Sequence, residues 1–356
     1  MKLPSIGKTL IENKIVLLRV DYNISFDASH QIANTERISQ SLPTIELLLK
    51  HNNKIRIIAH LGRPQGHDNT LSLKPVAALL QSLLPKYEFI FVTDFFSQKT
   101  QMILDAQTQN QIILFENVRF EEGEESNEPE FAKMLSSLGD VFVNDAFADS
   151  HRNHASIVGI SKFLPSYIGL QFEKEIHAVD TLLSNPLRPF VAIIGGAKTD
   201  KINLINKLAT LCDTLLMGGK FIEYLENNHE AMRNLQSKTQ LIMPTDYIYE
   251  NEKIADIGPN TILLFETHIK GAKTIFWNGP MGKMEVDRFK KGTRAVLKAI
   301  ADNRGAYSIV GGGDTIVAIE HDKHKNAISH ISTAGGALIA YIEDGTLPGI
   351  EALKFH

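Results

Sequence analysis

Short apolar runs rich in β-branched residues alternate along this chain with stretches whose apolar positions recur every three or four residues. In the first half, Lys14–Val20, Lys54–Ala59, Phe89–Val92, Gln111–Phe115 and Val141–Val143 predict strands, and Thr35–Lys50, Leu73–Leu84 and Glu128–Leu138 predict the helices between them. In the second half the same alternation gives strands at Phe190–Ile194, Thr214–Met217, Gln240–Ile242, Lys273–Trp277 and Tyr307–Val310. Its helices are predicted at Asp200–Ala209, Phe221–Asn227, Arg288–Ala301 and Thr315–Glu320. Continuous apolar strands separated by helices argue for parallel α/β sheets covered on both faces. Between the halves lies Phe172–Ser184, with Phe172, Ile176, Val179 and Leu183 on one face and Glu173, Lys174, Glu175 and Asp180 on the other, ended by Asn185-Pro186. Periodicity alone fits a surface helix inside one domain equally well. The residues on either side point further, to a helix joining two lobes that bind different anionic ligands.

Length supports the division, because 356 residues exceed one compact core of ordinary size. The N-terminus MKLPSIGKTL has no apolar leader segment and no apolar run approaches membrane-spanning length, which predicts a cytoplasmic protein without a membrane partner. Cys212, the single cysteine, excludes an intramolecular disulfide and reads as a small buried hydrophobe. A formal net charge of −4 gives no reason to expect nucleic acid, so any anion site must be a local cluster set against the global sign.

Such a cluster is visible at the strand ends, where parallel sheets bind their ligands. The first strand runs into Asp21-Tyr22-Asn23 and the next helix opens Glu36-Arg37. Later strands run into His60-Leu61-Gly62-Arg63, Glu116-Asn117-Val118-Arg119 and Asn144-Asp145, the last followed by His151-Arg152-Asn153-His154. One arginine at such a place is usually a solvated charge, but the repetition predicts a site for a small polyanion, since guanidinium groups grip phosphate and carboxylate in bidentate fashion. Three local patterns carry nothing further. Gly7-Lys8-Thr9 lacks the glycine and the preceding strand of a P-loop, His151 and His154 lack further metal ligands nearby, and Asn23-Ile24-Ser25 is an idle glycosylation sequon in a cytoplasmic chain.

In the second half the strand ends carry glycines instead: Gly195-Gly196, Gly218-Gly219, Gly279, Gly282 and Gly311-Gly312-Gly313. Glycine lets backbone N–H groups approach an anion, and Gly311–Thr315 entering a helix adds the positive end of its dipole. The pattern is not G-x-G-x-x-G, which disfavours an NAD-dependent dehydrogenase. Asp314 is placed to reach Mg²⁺ beside phosphates, and Lys198 and Lys201 to supply positive charge at a helix start whose dipole disfavours cations unless an anion is near.

With these residues set out, the chain resembles the phosphoglycerate kinase family. Arg19–Asn23, His60–Pro64, Glu116–Phe120, Asn144–Phe147, His151-Arg152, Trp277–Pro280, Gly311–Thr315 and Leu347–Gly349 match family motifs in family order. The resemblance implies two doubly wound, Rossmann-like parallel-sheet domains joined by a helix hinge with a cleft between them. Residues 1–170 would bind the triose phosphate, with 345–356 packing back on them; 171–185 would form the interdomain helix and 186–344 the nucleotide domain. The implied reaction is reversible phosphoryl transfer between 1,3-bisphosphoglycerate and ADP, giving 3-phosphoglycerate and ATP, with Mg²⁺ accompanying ATP or ADP and a monomeric enzyme. Carried onto this chain, the substrate contacts are Asp21, Tyr22, Asn23, Arg37, His60, Leu61, Gly62, Arg63, Arg119 and Arg152, and the nucleotide contacts are Lys201, Glu285, Gly311, Gly312, Gly313, Asp314 and Thr315. Arg37 and Lys198 would stabilise the phosphoryl in flight, and Asp314 would serve the metal. Hinge candidates are the ends of the 172–184 helix and Ser332–Gly336.

The departures from the family pattern gather on the nucleotide side. GGAKTDK separates Lys198 from Lys201 by three residues where four are usual, Lys220 stands in place of a third glycine, and the segment before Pro244 is short. Ala334 replaces a glycine and Ala340 a glutamate. The alternative these leave open is a weakened paralogue that binds triose phosphate or nucleotide without turnover.

Overall fold

The computed structural model describes residues 3–27, 29, 31–196 and 201–355, which form two compact units, Met1–Ile176 with Thr346–His356 and His177–Gly345. The first unit is built on a six-stranded sheet: β1 (Ile15–Arg19), β2 (Lys54–Ile58), β3 (Glu88–Val92), β4 (Gln111–Phe115), β5 (Val141–Asn144) and β6 (Ser166–Ile168), in the order β3-β4-β2-β1-β5-β6. Every pairing is parallel, with Leu17 opposite Arg56 and Phe142, for example. Its helices are α1 (Glu36–Lys50), α2 (Lys74–Leu83), α3 (Gln98–Ala106), α4 (Glu122–Glu125), α5 (Pro129–Ser136) and the start of α6 (Leu170–Ser184). Because the strands are apolar at successive positions, both faces of the sheet are buried. One face packs Val16, Leu18, Ile55 and Ile57 with Ile38 and Leu80, and the other packs Leu17, Ile58 and Ile113 with Phe131 and Phe142.

The second unit repeats the scheme. β7 (Phe190–Ile194), β8 (Thr214–Met217), β9 (Gln240–Ile242), β12 (Thr274–Asn278), β13 (Tyr307–Gly311) and β14 (His330–Ser332) form a sheet in the order β14-β13-β12-β7-β8-β9, again all parallel. Beside it is an antiparallel hairpin, β10 (Tyr247–Glu250) and β11 (Lys253–Ile257). The helices are α7 (Ile202–Ala209), α8 (Phe221–Glu226), α9 (His229–Gln236), α10 (Pro259–Gly271), α11 (Lys291–Asp302), α12 (Gly313–Ile319) and α13 (Gly336–Asp344); α14 (Pro348–Ala352) then belongs to the first unit, where the Gly349 N–H donates to Ser150 O at 2.9 Å. The strand order reverses direction around β1 in one sheet and β7 in the other, the doubly wound arrangement that places ligand sites at the carboxyl ends of the strands.

The boundary between the units falls inside α6, between Ile176 and His177. Phe172 anchors its start, stacked edge-on against Phe147 at 5.3 Å. The face read from the sequence is right at Phe172, Ile176 and Val179, but Leu182 rather than Leu183 is fully buried and Glu175, read as polar-face, is buried too. Glu175 accepts from Gln171 Nε2 at 3.2 Å, one turn earlier. Among the described residues no helix is long and apolar enough to cross a membrane.

Candidate functional site

At the carboxyl ends of β1, β2, β4 and β5 the first unit gathers cations around one buried carboxylate. Arg19, the last residue of β1, is fully buried; its Nε donates to Ser156 Oγ at 3.0 Å, its Nη1 to the Val20 carbonyl, and its Nη2 lies 3.1 Å from Asp149 Oδ2. His60 Nδ1 also lies 3.1 Å from that oxygen and 3.2 Å from Arg19 Nη2. Burial opposes the charge on Asp149, but His60 and Arg19 beside it outweigh burial and hold its carboxyl well below the usual range. Burial lowers the His60 imidazole against the pull of Asp149, and one of its nitrogens is engaged by this triangle. Behind Arg19, buried Glu124 accepts from Ser156 Oγ at 2.6 Å and Ser156 N at 2.9 Å. Burial pushes Glu124 up, yet His154, Arg19 and Ser156 outweigh it and keep the carboxyl ionised.

What this frame leaves over is a set of unmatched nitrogens, the guanidinium ones being donors. His60 Nε2, Arg119 Nη2, His151 Nδ1 and Arg152 Nε are buried nitrogens with no hydrogen-bond partner among the described residues. Arg119 Nη1 donates to Gly62 O at 2.6 Å and its Nε lies 3.2 Å from Glu125, while burial lowers its guanidinium and Asp149, Arg152 and Arg19 act on it electrostatically. Arg63 is exposed and makes no ion pair among the described residues; Arg37 is paired with Asp21. Gly62 N–H donates to Asn23 Oδ1 at 2.9 Å, which ties the loop after β2 to the loop after β1. Asp21, His60 and Asp149 offer atoms close enough for a cation, but Arg19 and Arg37 already supply positive charge to those carboxylates. The charge and the unmatched nitrogens of this end suit an anion rather than a cation.

Two residues expected among the substrate contacts are core residues. Tyr22 is fully buried with its hydroxyl 3.0 Å from Ser41 Oγ, and Leu61 is buried with its N–H donated to Asn117 Oδ1. The alternation of a strand's continuation turns both side chains inward, so neither side chain is available to a ligand. The sequence reading passed over Arg19, Asp149, Glu124 and Asn117, whose Nδ2 spans Leu61 O and Leu71 O. For Arg19 the available signal was a charged residue closing an otherwise apolar strand, whereas Asp149 and Glu124 lie in short helical turns that carry no such mark.

In the second unit the strand ends are held together by glycine backbones. Gly279 has φ +97°, and a Cβ there would stand 2.1 Å from Gly195 O; Gly195 N–H donates to Asn278 O and Gly196 N–H to Pro280 O. No other residue permits strands β7 and β12 to end this close together. Lys201 reaches across this knot to Asn278 Oδ1 at 2.6 Å and Gly195 O at 3.3 Å, and buried Asn278 in turn donates to Gly311 O at 3.1 Å. Thr315 is buried, its hydroxyl accepting the Gly279 N–H at 2.7 Å, so this side chain braces the loop.

Two cavities flank that knot. One, of about 400 Å³, is lined by Lys201, Asn278, Gly312, Gly313, Asp314 and Glu343 among others. The other, of about 480 Å³, is mainly apolar, with Ile254, Ala255, Pro280, Met281, Met284 and Val317 in its lining and exposed Glu285 at its edge. Asp314 is shared by both, lies in the first turn of α12, and forms no hydrogen bond or ion pair among the described residues. Lys198, and with it the spacing to Lys201, lies outside the described residues. Ala334 is buried in an ordinary backbone conformation, and the positive φ of this turn, +54°, falls on Gly335 instead. Substitution of the family glycine at 334 thus costs no strain.

Compared with known proteins, the chain matches the sequence-family model described as Phosphoglycerate kinase over residues 6–231 and 224–345. It is 39% identical over 396 residues to the phosphoglycerate kinase of Koribacter versatilis, covering 98% of each chain. It is 38% identical over 382 residues to that of Thermus thermophilus, covering 96% of this chain and 97% of the relative. The fold superposes on the structure of phosphoglycerate kinase from Coxiella burnetii with a TM-score of 0.87 at 34% identity, covering 99% of both chains. For the enzyme from Pyrococcus horikoshii OT3 the TM-score is 0.84 at 29% identity, over 99% and 98% of the two chains.

Proposed function

The chain belongs to the phosphoglycerate kinase family, and from that premise we propose that it moves a phosphoryl group reversibly between 1,3-bisphosphoglycerate and ADP, giving 3-phosphoglycerate and ATP. The observation that supports the triose-phosphate end most is the set of buried nitrogens, His60 Nε2, Arg119 Nη2, His151 Nδ1 and Arg152 Nε, that have no hydrogen-bond partner among the described residues. A buried donor left unmatched costs about 1–3 kcal/mol, and a ligand carrying phosphate and carboxylate oxygens supplies the acceptors. Arg63 and Arg37 bring further charge at the more exposed side, with Asp21 and Asn23 accepting the hydroxyl hydrogens of the triose.

The nucleotide enters the second unit. Its base takes the apolar cavity lined by Ile254, Met281 and Met284, Glu285 accepts from the ribose hydroxyls, and the phosphates run past Asp314 toward Lys201 and the Gly311–Gly313 backbone. The exposed Asp314 carboxylate, without an ion pair among the described residues and shared by the two cavities, fits Mg²⁺, which takes one or two carboxylates and keeps water and phosphate as its other ligands. Bound with the nucleotide, the cation supplies neutralisation of phosphate charge.

The transfer is in line, between the carboxylate oxygen of the triose and the terminal phosphate oxygen of ADP, with no covalent enzyme intermediate. Negative charge spreads over the equatorial oxygens of the moving group, so the protein acts by positioning and by cationic stabilisation. We assign that stabilisation to Arg37 and Lys198. Since the two ligands bind to different units, transfer requires that they be brought together and water kept out, because water hydrolyses the acyl phosphate. A coupled assay with 3-phosphoglycerate and MgATP, run beside calorimetric titration of each ligand, tests the proposal. Turnover with both ligands bound upholds it, and phosphoglycerate binding without turnover overturns it in favour of a binding protein.

A further inference from the structure

Asp256, the fourth residue of β11, has no exposure to water. A carboxylate in that position requires local donors. It has them: Oδ1 accepts the Ile257 N–H at 2.9 Å and Oδ2 accepts the Gly292 N–H at 2.9 Å. Gly292 lies in the first turn of α11, where backbone N–H groups lack intrahelical partners and the helix dipole favours an anion. Burial nonetheless pushes the carboxyl up to about 6, against the pull of the Gly292, Ile257 and Lys291 amides. Removing water from a carboxylate is costly even with these donors, and its place in the fold shows what the group holds together.

Ile254 and Ala255, the residues just before Asp256, line the apolar cavity together with Met281, Gly282 and Met284 of the loop after β12. Asp256 stands where strand and loop meet, for a Cβ at Gly282 would lie 2.6 Å from Asp256 Cγ and 2.3 Å from Phe289 O. Lys283 N–H donates to Ala255 O at 2.9 Å, and Met281 N–H to Thr293 Oγ1 of α11 at 3.0 Å. Strand, loop and helix therefore share a single buried joint, and the carboxylate is its centre.

Resting on the nucleotide reading of this cavity, we propose that Asp256 is a positioning residue for the nucleotide base: held between α11 and Gly282, it sets the width of the apolar slot between β11 and the Met281–Met284 loop. It touches no reacting group, so its loss weakens nucleotide binding and leaves the transfer step alone. Two variants of the full chain test this. Asp256→Asn keeps the shape but turns an N–H₂ toward one backbone N–H, and Gly282→Ala forces the loop off the same joint while leaving the carboxylate in place.

Calorimetric titration with MgADP is expected to show a dissociation constant about tenfold higher or more in each variant, as for loss of one charge-assisted buried hydrogen bond. KM for MgATP rises in parallel while kcat at saturation and the affinity for 3-phosphoglycerate stay at their wild-type values, a split that a general loss of stability does not produce. Wild-type MgADP affinity in either variant overturns the proposal, and so does parallel loss of both ligands in the two variants. If the wild-type chain itself fails to bind MgADP, the nucleotide reading falls and the proposal with it, an outcome visible before any variant is made.

Discussion

Replacing Asp149 by asparagine removes one charge from the most buried part of the first unit while keeping its shape. Its Oδ2 lies 3.1 Å from both Arg19 Nη2 and His60 Nδ1, and none of the three residues is more than 4% exposed. Removing one partner of a buried pair leaves the other charge uncompensated, at about 3–5 kcal/mol. Arg19 keeps its bonds to Ser156 and the Val20 carbonyl and still feels ionised Glu124, which places the loss near the lower end, about 3 kcal/mol. For a unit of this size each kcal/mol moves the melting temperature by about 2–4 °C, so its unfolding transition should fall by about 6–12 °C at pH 7. The pH dependence has a definite sign. The Asp149 carboxyl is held well below its ordinary 3.8, so its contribution is present above that value and is lost as the pH falls toward the folded-state value. Calorimetric scans of both proteins from pH 7 downward should show a gap that is widest near neutrality and closes in acid below about pH 4. A transition within about 2 °C of wild type at pH 7, or a gap that does not narrow in acid, refutes the account of this network.

Arg37→Ala and Lys198→Ala should each lower turnover by orders of magnitude in the coupled assay with the far-ultraviolet spectrum unchanged; a wild-type rate in either removes that residue from the mechanism. Gly279→Ala imposes a side chain at φ +97° and 2.1 Å from Gly195 O, about 1–3 kcal/mol of backbone strain before the clash is counted. It should lower the denaturation midpoint of the second unit and weaken MgADP, and unchanged values for both would contradict the close packing of β7 and β12. Asp145, which accepts the Phe172 N–H at the start of α6, has its carboxyl pushed up to about 7 by burial. A raised carboxyl favours the folded state at low pH, and that advantage is lost as the pH rises through about 7. Denaturant midpoints of wild type should therefore decline relative to Asp145→Asn between pH 5 and pH 8; a constant difference would show that Asp145 is ionised throughout.

The sheets were legible because doubly covered strands must be apolar at every position. β4, β7, β8 and β9 fall on the ranges read from the sequence, and most other read strands are off by one residue. The elements that were not read had no such signal. β6 and β14 are three-residue edge strands that carry Ser and His among their few positions, β10 is exposed or half exposed throughout, and α10 buries only Thr261, Phe265 and Ile269 of its thirteen residues. At the anion site, attention to the residue following each strand found His60, Arg63, Arg119 and Arg152 but passed over Arg19, which is the last residue inside β1, and Asp149, whose role depends on a contact made across the sheet. Tyr22 and Leu61 erred the other way, since a motif names consecutive residues while the backbone turns alternate ones inward. Ala334 shows a different limit: a departure from the family glycine carries no backbone cost here, because the positive φ of the turn lies one residue later, at Gly335.

The proposed mechanism passes the phosphoryl group directly from one bound ligand to the other, with no phosphorylated enzyme between them. The decisive measurement is exchange of labelled ADP into ATP by the purified chain, with and without 3-phosphoglycerate. Direct transfer predicts exchange only when 3-phosphoglycerate is present, with loss of that exchange in Arg37→Ala. Exchange in the absence of the triose would require a phosphorylated enzyme and would contradict the mechanism.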